Sequence, residues 1–173
     1  MSKVNAFTLL MNSGKLSKSG FSILKGLKVE EEACHLLQFD GLSQPNPGVS
    51  TGGAVLFSPS KEIIFERGEF MEFATNNQAE YTGLRIGLES CVELGIKHLL
   101  VEGDSQLVIR QTEGKWKVSN EELKVLNKKI KELVEQFESI AIRHIYRKMN
   151  SHADRITNDV LRSKQSFFRP LNI

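Results

Sequence analysis

Residues 34–57 read Cys34-His35-Leu36-Leu37-Gln38-Phe39-Asp40-Gly41-Leu42-Ser43-Gln44-Pro45-Asn46-Pro47-Gly48-Val49-Ser50-Thr51-Gly52-Gly53-Ala54-Val55-Leu56-Phe57. A short, mostly apolar run ends on an acid, breaks into a Pro- and Gly-punctuated cluster, and is followed by a second apolar run. Runs this short are strand-sized rather than helix-sized. The stretch therefore predicts a first strand over 34–39, a turn over 41–48 and a second strand over 52–57. Residues 58–61 (Ser-Pro-Ser-Lys) read as another tight turn. Residues 62–70 read as a third strand with Ile63, Phe65 and Phe70 inward. Three strands joined by turns make an antiparallel meander.

Downstream the period changes. Thr75-Asn76-Asn77-Gln78 is a helix-start signal, and Ala79, Leu84, Ile86, Leu88 and Cys91 follow at helical spacing until Gly95. Residues 97–103 predict a fourth strand and 105–113 a helix ending at Gly114. Ser119-Asn120-Glu121-Glu122 opens a long helix, 140–146 alternate as a fifth strand, and 151–162 form a last helix. Strands four and five are reached through helices, so they run parallel to the first. The expected fold class is α/β, a mixed five-stranded sheet flanked by helices.

The chain has 173 residues and a net charge of +2. That charge is uneven: residues 1–29 carry five lysines and no acid, leaving 18 basic and 21 acidic residues in the remainder. Three segments are expected: a basic extension over 1–29, a folded domain over 30–164 and a tail over 165–173. The Ser-, Gly- and Lys-rich extension has one apolar patch at residues 6–11. It reads as a loosely docked segment, an organelle transit peptide or a tether for a protein partner or substrate backbone. No apolar run approaches the roughly 18 residues that would span a bilayer. Cys34 and Cys91 sit in apolar, regular segments and read as buried free thiols. An intracellular, reducing compartment is expected.

Four acids stand where an open α/β sheet gathers reactive groups. Asp40 and Asp104 close strands one and four; Glu80 and Asp154 open helices. If the two strands are neighbours, these carboxylates meet. Carboxylates without Cys or His suit hard divalent cations such as Mg²⁺. Taken singly, each acid reads as a solvated charge or a helix cap, Asp154 most of all.

Four blocks lift that reading. Asp40-Gly41-Leu42-Ser43 with Asn46-Pro47-Gly48 and Gly52-Gly53-Ala54 resembles the first signature of type 1 ribonuclease H. Thr75-Asn76-Asn77-Gln78-Ala79-Glu80-Tyr81 resembles the second, Glu102-Gly103-Asp104-Ser105 the third, and Asn150-Ser151-His152-Ala153-Asp154-Arg155-Ile156-Thr157-Asn158 the fourth. The resemblance implies a ribonuclease H-like fold over about 35–163. It implies an endoribonuclease, similar to the short-loop kind of archaea, plants and some bacteria, that cuts the RNA strand of RNA–DNA hybrids to 5′-phosphate and 3′-hydroxyl ends. Asp40, Glu80, Asp104 and Asp154 would be its catalytic carboxylates and the ligands of two Mg²⁺ ions, replaceable by Mn²⁺, with Asp40 bridging. Gly41, Ser43, Asn46, Gly48, Asn76, Asn77 and Gln78 would read the 2′-hydroxyl and base edges. Lys115, Trp116 and Lys117 would meet the sugar–phosphate backbone.

The sequence also departs from that family. Long-loop members carry a mobile His before the last helix; here the loop is only about 147–151. His144 falls in the strand and His152 at the helix start, leaving Arg147 or Lys148 as substitutes. Tail residues Phe167 and Phe168 are expected to pack on the body. A monomer is expected. Two rival readings stay open: a hybrid-binding module of the same fold, and a nuclease of the superfamily with another nucleic-acid substrate.

Overall fold

In the computed structural model, which describes residues 20–26 and 30–172, the first central strand runs past its acid. β2 (His35–Gln44) pairs with β3 (Gly48–Phe57) from Leu36↔Phe57 through Gln44↔Val49, so the turn shrinks to residues 45–47. Gly41 is therefore a packing glycine rather than turn punctuation. A Cβ at Gly41 would lie 2.2 Å from the Ala79 carbonyl carbon and the Glu80 nitrogen. Only a residue without a side chain lets the next helix come this close to the strand.

β4 (Ile63–Ala74) completes the meander, and α1 (Asn76–Glu93) follows. Then come β5 (His98–Gly103), α2 (Gln106–Thr112), α3 (Glu121–Val134), β6 (Ser139–His144) and α4 (Ser151–Ser163). β5 runs parallel to both β2 and β6, as the helical crossovers require.

Among the described residues the expected five strands become seven: with β1 (Ser22–Lys25) and β7 (Phe167–Pro170) added, the order is β1-β6-β5-β2-β3-β4-β7. β1 lies antiparallel on β6, and β7 antiparallel on β4. Part of the expected extension and part of the expected tail thus belong to the sheet. Both strands are four residues long, too short for a periodic signal. Phe167 does pack on the body, whereas Phe168 stays half exposed while touching Phe65.

Helices cover the sheet unequally. α1 lies across β2 and β3 and packs on α3. The main core there includes Leu37, Phe39, Leu84, Leu88, Leu99, Ile109, Ile130 and Phe137. Each such side chain contributes on the order of 1.5–3 kcal/mol of burial. α4 lies on the sheet through Ala153 and Ile156, packed with Val55. Caps explain the helix starts: Thr75 with Gln78 forms a capping box for α1, while Ser105 and Asn120 cap α2 and α3. Cys34 and Cys91 are buried free thiols. Among the described residues, no helix is long and apolar enough to cross a membrane.

Candidate active site

The parallel pairing Phe39↔Gly103 fixes the site's geometry, because the next residues, Asp40 and Asp104, then stand side by side where the pairing of β2 with β5 stops. α1 supplies the third acid. Its close approach over Gly41 is matched at Gly83, where a Cβ would lie 2.2 Å from the Asp40 carbonyl oxygen. That fit seats Glu80 against Asp40. One carboxylate oxygen from each of Asp40, Glu80 and Asp104 lies within 4.8 Å of the others.

Asp40 is buried and Glu80 and Asp104 are part-buried, with little to neutralise them. Asp40 Oδ1 accepts from the Gly41 amide at 2.9 Å. Glu80 Oε2 and Asp104 Oδ1 are buried with no hydrogen-bond partner. Burial pushes the Asp40 carboxyl up to about 7, a bond with Glu80 and the Gly41 amide opposing while the charges of Asp104 and Asp154 add to it. Burial also holds Glu80 well above the usual carboxylate range, helped by the Asp40 and Asp104 charges. Orphaned buried oxygens in an all-carboxylate set fit a hard divalent cation.

Asp154 stands outside this group. It sits in the first turn of α4, its carboxylate 36% exposed and 4.0 Å from Arg147 Nη2. Its charge still reaches Asp40. His152 instead packs edge-on against Phe57, with ring centroids 5.4 Å apart. His144 Nε2 lies 3.2 Å from the Asp104 backbone oxygen, within hydrogen-bond distance.

A residue to which the sequence reading gave no role holds α4 in place. Asn150 is fully buried, and its Nδ2 donates to the Phe39 carbonyl at 2.8 Å. The backbone oxygen of Asn150 in turn accepts from the Asp154 amide at 3.1 Å. Asn150 thus links β2, at the residue before Asp40, to the turn bearing Asp154. An Asn just before a helix signals a cap, but its side chain makes no cap bond.

The expected substrate readers fall into two places. Ser43 N donates to Asn76 Oδ1 at 2.9 Å, and Asn76 N donates to Asn46 Oδ1 at 3.0 Å. The 45–47 turn and the start of α1 therefore form one tied surface, with Gly48 packed under Pro45. Asn46, Asn76 and Asn77 are exposed on it. Neither Asn76 nor Asn77 caps the helix; Thr75 does, leaving both free of that task. Gln78 is committed: its Oε1 accepts from Thr75 N at 2.8 Å, and its Nε2 bonds Glu122.

Lys115, Trp116 and Lys117 lie beyond the far end of α2, which begins just after Asp104 and is about 10 Å long. Lys115 Nζ is held by Glu113 at 2.8 Å. Trp116 is 45% exposed and lines a groove of about 420 Å³ with Lys117, Lys124, Lys128 and Lys131.

The Reverse transcriptase-like family matches residues 38–160. Ribonuclease HI of Halobacterium salinarum is 38% identical over 123 residues, covering 71% of this chain and 62% of that protein. The crystal structure of RNase H1 from Halobacterium salinarum NRC-1 superposes with a TM-score of 0.73 at 36% identity, covering 75% of this chain and 98% of that one. The chain belongs to the type 1 ribonuclease H family. LC11-RNase H1, solved in complex with an RNA/DNA hybrid, is similar at 27% identity and a TM-score of 0.70, covering 76% of this chain and 99% of that one. The chain spans less than two thirds of the Halobacterium relative's full length. All four acids lie inside the family match, and β1 and β7 lie outside it.

Proposed function

We propose that the chain is an endoribonuclease that hydrolyses the RNA strand of RNA–DNA hybrids, leaving 5′-phosphate and 3′-hydroxyl ends. The observation that carries this reading is the meeting of Asp40 of β2, Glu80 of α1 and Asp104 just after β5, with two of their oxygens buried and without partners. Asp40, Glu80 and Asp104, with Asp154 at the rim, would hold two divalent ions, Mg²⁺ or Mn²⁺. Such ions would supply a nucleophilic water and electrostatic stabilisation of the phosphodiester's leaving oxygen.

The chain's own residues orient the reaction. The Gly41 amide fixes Asp40, the α1 approach fixes Glu80, and Asn150 keeps α4 against β2 beside Asp40. Asn46, Asn76 and Asn77 present amides to the minor groove, where a hybrid displays 2′-hydroxyls on one strand only. Trp116 and Lys117 would meet the sugar–phosphate backbone farther along.

The test is digestion of a labelled RNA–DNA hybrid, double-stranded RNA and double-stranded DNA, with and without Mg²⁺. Hybrid cleavage that requires metal is expected. Asp40→Asn and Asp104→Asn should each lower it at least about a thousandfold, as for other essential catalytic groups. Full activity in either variant, or equal cutting of all three duplexes, would refute the reading.

A further inference from the structure

Strand β1 lies outside the family match, yet it touches both helices that frame the Trp116 groove. Ser22 Oγ donates to Glu113 Oε2 at 2.5 Å. Glu113, just past α2, has a side chain only 2% exposed and also takes Arg110 Nη1 and Lys115 Nζ, both at 2.8 Å. At the strand's other end, Lys25 Nζ donates to the backbone oxygen of Glu135, the residue that closes α3. Between these ties, Ile23 and Leu24 wall a cavity of about 270 Å³. That cavity shares Asn127 and Lys131 with the Trp116 groove.

We propose that β1 is a brace for the substrate groove, with Ser22 and Glu113 acting as positioning residues that hold the Lys115–Trp116 corner. The inference rests on the reading that this groove meets the hybrid. Lys115 is then a strut of the brace, since its ammonium is already committed to Glu113. The free face of the groove belongs to Trp116, Lys117 and Lys128. Gln111 ties the same corner from the core side: its Nε2 donates to the Lys117 carbonyl at 3.2 Å, and its Oε1 accepts from the buried Tyr81 hydroxyl at 2.7 Å. With one side fixed to the core, a loss at Ser22 should loosen the corner without unfolding the domain.

Trp116 is the chain's single tryptophan, so its emission reports this corner alone. The full chain is compared with Ser22→Ala and Ser22→Thr, with folding checked by circular dichroism. Ser22→Ala should raise the KM for hybrid about threefold with kcat unchanged, the pattern of lost ground-state binding. It should also raise acrylamide quenching of Trp116. Ser22→Thr keeps the hydroxyl on a strand-favouring residue and should restore both values. Native quenching in Ser22→Ala would overturn the brace, and raised quenching with a native KM would overturn its role in substrate binding. If the wild-type chain cleaves no hybrid, the proposed function fails separately, and the quenching comparison still decides the brace.

Discussion

At the mouth of the sheet Asp40, Glu80 and Asp104 face one another, and no ion pair reaches any of them among the described residues. Near the sheet's two edges the side chains of Glu66 and Glu113 are buried, yet each accepts from two cationic side chains. Glu66 takes Arg155 at 2.5 Å and Arg169 at 2.9 Å; Glu113 takes Arg110 and Lys115. The titration directions differ accordingly. Burial alone would raise Glu113, but Lys115, Ser22 and Arg110 outweigh it and hold the carboxyl below its ordinary value. Asp40 and Glu80 are held above theirs. The edge carboxylates are satisfied within the chain and fasten strands. Those at the mouth have no such partner within the described residues, which suits the divalent cation of the proposed function.

The sharpest break of that comparison is neutralisation at each place. Asp40→Asn should remove cleavage while leaving the metal-free protein at pH 8 as stable as before, or more stable, because a repelling charge is gone. Glu66→Gln should do the reverse, keeping cleavage and losing stability. Removing one partner of a buried ion pair costs several kcal/mol. Here the stranded Arg155 and Arg169 are each more than half exposed and can turn to water. The loss should therefore be nearer 1–2 kcal/mol, a fall in Tm of about 2–8 °C for a chain this size. Thermal melts beside hybrid digestion check both. Loss of stability in Asp40→Asn would place the mouth acids with the structural ones.

A pH series sharpens the same contrast. Asp40 carries a raised pKa in the folded state, so between the ordinary carboxylate value of 3.8 and about 7 the folded chain binds a proton that the unfolded chain has released. Stability of the metal-free protein should then fall as pH rises from 5 to 8. The expected drop in Tm is at least about 4 °C, and Mg²⁺ should reverse it at pH 8. Glu113 has the opposite sign: its contribution is present above the ordinary value and lost as pH falls through its lowered folded value. Melts that do not change between pH 5 and 8 without metal would contradict the electrostatics of the mouth.

The mouth was legible in the sequence and the edges were not, for physical reasons. Asp40 and Asp104 end apolar runs, and a parallel pairing of those runs must set them side by side. Glu80 could be placed because a helix start follows a strand end. β1 and β7 gave no such signal: four residues cannot show a period, and their partners β6 and β4 are distant in sequence. Asn150 was legible as a residue type but not as a link, since its partner, the Phe39 carbonyl, is reached only through the tertiary fold. Gly41 misled for a related reason. A glycine beside prolines reads as a turn, and only the approach of α1 shows that the missing Cβ makes room for Glu80.

The smallest effect expected concerns Arg169 on β7. Its guanidinium closes one side of Glu66 and stacks on Phe167, 4.8 Å from the ring centroid. In Arg169→Ala the Glu66 carboxylate keeps Arg155, so no buried charge is left unpaired and the cost should be about 1 kcal/mol or less, a Tm shift of roughly 2–4 °C. Arg155→Ala leaves Arg169 in the same way and should cost a similar amount. The double variant strands Glu66 and should cost more than the sum of the two singles. Additive losses measured by thermal or urea melts would mean that each Arg acts alone, and that β7 is held by its backbone pairing and Phe167 rather than by a shared carboxylate.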